Sequence, residues 1–208
     1  MSARRAYRRP LSRRRLPVPA AVVAITAALT LSACGSGGSS GGGGQTQFVQ
    51  GTGGVDVVKD RASRQSAPDL SGKTLDGKDL DVAKDYKGKI VVLNVWGSWC
   101  SPCRAEAKYL VQAANAYKDK GVEFVGLDTR DPDPAPALAF EKEFKVPYPS
   151  LYDSAGKLLL RFPKGSLNPQ SIPSTVFIDR DGKIAARAIK ALGEDELRDT
   201  LDPLVAEK

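Results

Sequence analysis

The sequence predicts an α/β domain built on a mixed central β-sheet flanked by helices. Three observations carry this. Residues 89–96, KIVVLNVW, form a nearly continuous apolar and β-branched run, as expected of a strand covered on both faces. A helical pattern over 101–120 and a second apolar run, VEFVGLD at 122–128, complete a β-α-β unit. Later, TVFIDRDGKIAAR (175–187) reads as a hairpin turning at Asp181-Gly182, and GEDELRDTLDPLV (193–205) as a closing helix that Pro203 bends or ends.

The other elements follow in chain order. Residues 1–33 hold seven arginines, no acidic residue and the apolar run Val18–Ala33, the charged and apolar regions of an export signal. Leu31-Ser32-Ala33-Cys34 resembles the lipobox of bacterial lipoproteins, which implies a lipidated Cys34 as the first mature residue. The alternative is an uncleaved anchor, but the apolar run falls short of the about 20 residues a span needs. Secretory and twin-arginine export both stay open. Gly35–Gly44 is expected to be a tether reaching about 17 Å as a random coil. Residues 35–62 are thus read as tether and leader, and 63–208 as one domain.

Within the domain, KTLDGKDLDV (73–82) carries Asp76-Gly77, the signal of an N-terminal β-hairpin extension. The 101–120 helix places Cys103, Ala107, Leu110, Val111 and Ala114 on one side, with Gly121 suited to its end. PAPALAFEKEFKV (134–146) is a short helix, part of an inserted αβ element. KLLLRF (157–162) is expected to be a strand.

Composition excludes several function classes. The chain has 31 Lys+Arg against 24 Asp+Glu, but the seven signal arginines account for the whole excess, leaving 24 against 24. A neutral mature protein gives no support for nucleic-acid binding. Histidine is absent, which removes His-based acid–base catalysis and any His-ligated zinc or haem. APDLSGKT (67–74) fits a loose phosphate-loop pattern, but no strand precedes it. DTRDPDP (128–134) lacks the glycine and closing glutamate of a calcium loop.

With Cys34 assigned to lipid, Cys100 and Cys103 remain of the three cysteines. As a structural staple this pair is poor, because so small a loop removes little entropy from the unfolded chain. Zinc would need two further Cys or His ligands. Both cysteines sit where a strand gives way to a helix. The helix N-terminus supplies partial positive charge and unpaired N–H groups, which stabilise a thiolate. Cys100 is then the attacking thiolate, and Cys103, one turn on, resolves the mixed disulfide.

Trp96-Gly97-Ser98-Trp99-Cys100-Ser101-Pro102-Cys103 resembles the active site of the thioredoxin superfamily, and the stretch from Ala67 to Glu106 resembles the exported, membrane-tethered TlpA-like disulfide reductases. The resemblance implies a thioredoxin-like fold and a cis Ile172-Pro173 facing the cysteines. It also implies a docking groove for an extended substrate, formed by Trp99, Ser101, Pro102, Ile172 and Pro173. Trp96 is expected in the core. Glu106, on the helix face of Cys103, is the candidate proton carrier. Asn94 stands where thioredoxins carry a buried aspartate, and Ala107 where many relatives have proline.

The expected function is an extracytoplasmic protein thiol–disulfide oxidoreductase, a reductase of exported protein disulfides, with cytochrome c maturation as one setting the resemblance suggests. It would use no metal and no cofactor beyond the Cys100–Cys103 disulfide, draw electrons from a membrane thiol donor, and act as a lipid-anchored monomer. Two rivals are a thiol peroxidase and a tethered, non-catalytic client-binding module. Peroxiredoxins need a threonine three residues before the reactive cysteine, and Gly97 is there instead.

Overall fold

The computed structural model describes residues 47–207. Its strands are β1 (Val49–Gln50), β2 (Val55–Val57), β3 (Ser71–Lys73), β4 (Asp79–Asp81), β5 (Ile90–Trp96), β6 (Val122–Thr129), β7 (Ser150–Asp153), β8 (Ser174–Ile178) and β9 (Ile184–Ala188). Its helices are α1 (Val82–Asp85), α2 (Ser101–Tyr117), α3 (Pro134–Phe144) and α4 (Glu194–Ala206). Seven strands form one mixed sheet in the order β1-β2-β9-β8-β5-β6-β7, and β3-β4 is a separate hairpin. The pairs β5-β6 and β6-β7 are parallel, and the rest are antiparallel. This is the expected thioredoxin-like α/β architecture, with the β3-β4 extension and the α3-β7 insertion.

β5 is central and buried along its whole length. Side chains alternate across a strand. Ile90 and Val92 therefore join Leu110, Tyr117, Phe124, Leu197 and Leu201 on the face covered by α2 and α4. Val91, Leu93 and Val95 join Leu70, Leu127, Leu151, Leu159 and Phe162 on the other. Asn94 and Trp96 continue the first alternation, so both belong to the α2 side. The buried stripe of α2 is Cys103, Glu106, Ala107, Leu110, Ala113 and Tyr117. Ala113 and Tyr117 thus replace the expected Ala114 and Val111, which are half-buried.

Two expectations are corrected. The sheet starts before residue 63: β2 pairs with β9 in the register Val55↔Ala188, and β1 pairs with β2. Residues 157–162 are not a strand. Leu159–Arg161 is a 3-10 turn, set by the Asp153 carboxylate, which accepts the N–H groups of Lys157, Leu158 and Leu159. Leu158, Leu159 and Phe162 point inward and Leu160 is exposed, a helical rather than an alternating pattern. Of the two outcomes expected at Pro203, an end to the helix is excluded, since α4 runs to Ala206. Its final carbonyls are taken up by Arg180, whose Nη1 donates to Leu204 and Glu207.

A buried ion cluster ties the segment after β2 to the residue that follows α4. Arg64 donates to Asp179 at 2.8 Å and to both oxygens of Glu207 at 2.6 and 2.7 Å. Among the described residues no helix is long and apolar enough to cross a membrane.

Candidate active site

Cys100 is the N-cap of α2, in extended backbone conformation, and its Sγ accepts the N–H of Cys103 at 3.2 Å. An N-cap side chain normally supplies an oxygen for this purpose; here a sulfur does. The same contact places Sγ against the positive end of the helix dipole. A disulfide joins Cys100 to Cys103, with a Cα–Cα separation of 5.2 Å. Both cysteines are buried, whereas Ser101, Pro102 and Trp99 are exposed, Trp99 by 51%. Trp96 is buried and packs on Phe140 at 4.4 Å between ring centres.

The approach to Cys100 is a fastened turn. Cys100 N donates to Gly97 O at 3.0 Å. Gly97 has no room for a side chain, since a Cβ there would lie 2.8 Å from Trp99 Nε1 and 3.0 Å from Thr129 O. Ser98 is gripped by Asp131, whose two carboxylate oxygens accept the Ser98 amide at 2.8 Å and hydroxyl at 2.6 Å.

The Ile172-Pro173 bond is cis. Pro173 is buried, and half-buried Ile172 packs on the cluster that contains Cys100, Cys103 and Trp96. The fold thus gathers the cysteines, their intervening residues and this proline loop, as the resemblance implies.

Glu106 is 1% exposed. Its Oε1 accepts from Asn94 Nδ2 at 2.9 Å and its Oε2 from the Leu192 amide at 2.9 Å. Burial pushes its pKa up to about 7, while the two hydrogen bonds work against the rise. Asn94 also donates to Thr175 Oγ1 at 3.2 Å, which links α2 to the strand after Pro173. A void of about 10 Å³ is lined by Asn94, Cys103 and Tyr148 among others, so the amide holding Glu106 borders the space beside Cys103. A carboxyl that titrates near neutrality can give or take a thiol proton.

Sequence reasoning missed the end of β6 and the loop after it. Asp128 is fully buried, and neither of its oxygens receives a hydrogen bond. Burial first, then the neighbouring carboxylate of Asp131, pushes its pKa up to about 9. Protonated Asp128 can donate to Asp131, which in turn holds Ser98. The sequence signal was weak: DTRDPDP reads as a polar surface loop. Among the described residues no group of three or more His, Cys, Asp or Glu is placed to hold a metal ion. Cys34 and the expected export signal lie outside the described residues.

Comparison with known proteins points one way. The Redoxin family profile matches residues 62–202. A thiol-disulfide oxidoreductase ResA of Bacillus cereus is 33% identical over 140 residues, spanning 67% of this chain and 77% of that protein. A secreted thiol-disulfide isomerase from Corynebacterium glutamicum superposes with a TM-score of 0.69 at 29% identity, covering 79% of this chain and 100% of that one. A DsbF homologue from Corynebacterium diphtheriae gives 0.67 at 30% identity, covering 74% and 95%.

Proposed function

Because the chain belongs to the Redoxin family and is a TlpA-like thiol–disulfide oxidoreductase of the thioredoxin superfamily, we propose that it reduces disulfides of exported proteins on the outer face of the cytoplasmic membrane. The observation that carries this reading is the Cys100–Cys103 pair at the start of α2, with Cys100 Sγ against the Cys103 amide.

In the reduced enzyme the Cys100 thiolate attacks one sulfur of the client disulfide. The other client sulfur leaves as a thiolate and takes a proton. Cys103 then loses its proton, attacks Cys100 Sγ and releases the client as a dithiol. Glu106 is the group that accepts the Cys103 proton. The enzyme disulfide returns to dithiol with two electrons and two protons from a membrane thiol donor. Trp99, Ser101 and Pro102 form one wall of the client groove, and Ile172 and Pro173 the other. Cys34 carries the lipid that anchors a monomeric enzyme, and the dithiol is the only redox group required. Cytochrome c maturation is one setting that such a reductase would serve.

Trapping tests the proposal. A Cys103→Ser variant should hold its client on Cys100 as a mixed disulfide, identifiable by mass spectrometry. Cys100→Ser should abolish both trapping and insulin reduction. Client capture that survives loss of both thiols would overturn catalysis in favour of a binding module.

A further inference from the structure

Arg130 stands directly after β6, exposed, in the left-handed region with φ 63°. A non-glycine residue there persists when its surroundings hold it, often at a binding site. Two contacts hold Arg130. Its guanidinium lies 5.2 Å from the centre of the Trp99 ring, and Nη2 donates to Pro169 O at 2.9 Å. Trp99 precedes Cys100, and Pro169 leads into Ile172-Pro173. Arg130 therefore links both walls of the groove.

Two arginines flank the dithiol in space or sequence, and they differ in charge balance. Arg104 follows Cys103 and pairs with both oxygens of Glu143. Arg130 has no ion pair among the described residues; its partners are an indole face and a carbonyl. The adjacent Asp131 is buried, with both oxygens on Ser98. An indole fixes the plane of a guanidinium and leaves its edge donors free for a carboxylate.

We propose that Arg130, seated on Trp99, is a specificity-determining residue that recognises a carboxylate beside the reacting cysteine, so that the enzyme prefers disulfides flanked by Asp or Glu. This rests on the oxidoreductase reading above. The test uses two synthetic peptide disulfides that differ only in flanking Asp or Lys. Reduced wild-type enzyme should favour the Asp peptide in kcat/KM by about fivefold at low salt. The ratio should fall towards one near ~1 M salt, where exposed charges are screened. Arg130→Asn, a residue that tolerates the left-handed region, should bring the low-salt ratio to about one. Arg130→Lys should keep part of the preference. A wild-type ratio of one, or a ratio unchanged in Arg130→Asn, overturns the inference with the activity intact. Failure to reduce either peptide overturns the oxidoreductase reading instead. The wild-type ratio and its salt dependence need no variant to fold.

Discussion

Asn94 Nδ2 donates to Glu106 Oε1 at 2.9 Å, so an amide on the central strand orients the one carboxylate buried in the inner face of the active-site helix. A carboxylate in its place on β5 would repel Glu106. An amide can hold Glu106 in either protonation state.

Glu106→Gln keeps the shape of the side chain but cannot titrate. Glutamine also has only one acceptor, where the site supplies two donors, Asn94 and the Leu192 amide. We expect kcat/KM for insulin reduction to fall about 100-fold. The ionisation near 7 should vanish from the pH profile. A profile that keeps that ionisation in the variant would assign it to another group.

Asp128 should make stability depend on pH. Its folded value, about 9, lies above the ordinary 3.8. Below about 4 both states are protonated and its burial carries no ionisation penalty. As pH rises the unfolded chain ionises first, and stability is lost until the folded value is passed. Asp128→Asn mimics the protonated acid. At pH 8 the variant should resist urea better than wild type by a few kcal/mol, and at pH 4 the difference should shrink.

Asp131→Ala removes two hydrogen bonds from a charged acceptor to Ser98 and leaves a partly buried amide unpaired. The expected loss is about 2–4 kcal/mol by urea unfolding. Ser98→Ala removes only the hydroxyl contact and should cost about 1 kcal/mol. Alkylation of Cys100 across pH should report a shifted thiolate in Asp131→Ala, since the turn that presents the sulfur loses its fastening.

Arg64→Ala strands Asp179, whose side chain is 4% exposed, without its cation. Breaking a buried pair from one side costs about 3–5 kcal/mol. Thermal melting should show the loss, and the CxxC chemistry should survive at temperatures where the variant is folded.

The parts of the molecule legible in the sequence are those with local physical signatures. β5 and α2 show their periodicity over a full turn or strand, and Cys100 and Cys103 show their spacing. Pro173 was legible only by resemblance. β1 and β2 were not legible, because strands of two and three residues owe their existence to pairing, β1 with β2 and β2 with β9. The apolar run Leu158-Leu159-Leu160 read as a strand because nothing nearby reveals that Asp153 captures three amides. Arg130, Asp131 and Thr175 escaped for one reason: each acts on a residue far away in the chain. Glu106 was legible as a candidate, but its burial and its second partner, the Leu192 amide, depend on α4 packing against α2.

The pairing of β2 with β9 has a consequence outside redox chemistry. A protein shortened to begin at residue 63 would leave the ladder groups of β9 bare, a template on which a second molecule can add strand to strand. β1 and β2, the first strands of the sheet, thus cover that edge, a shielding that does not depend on either thiol.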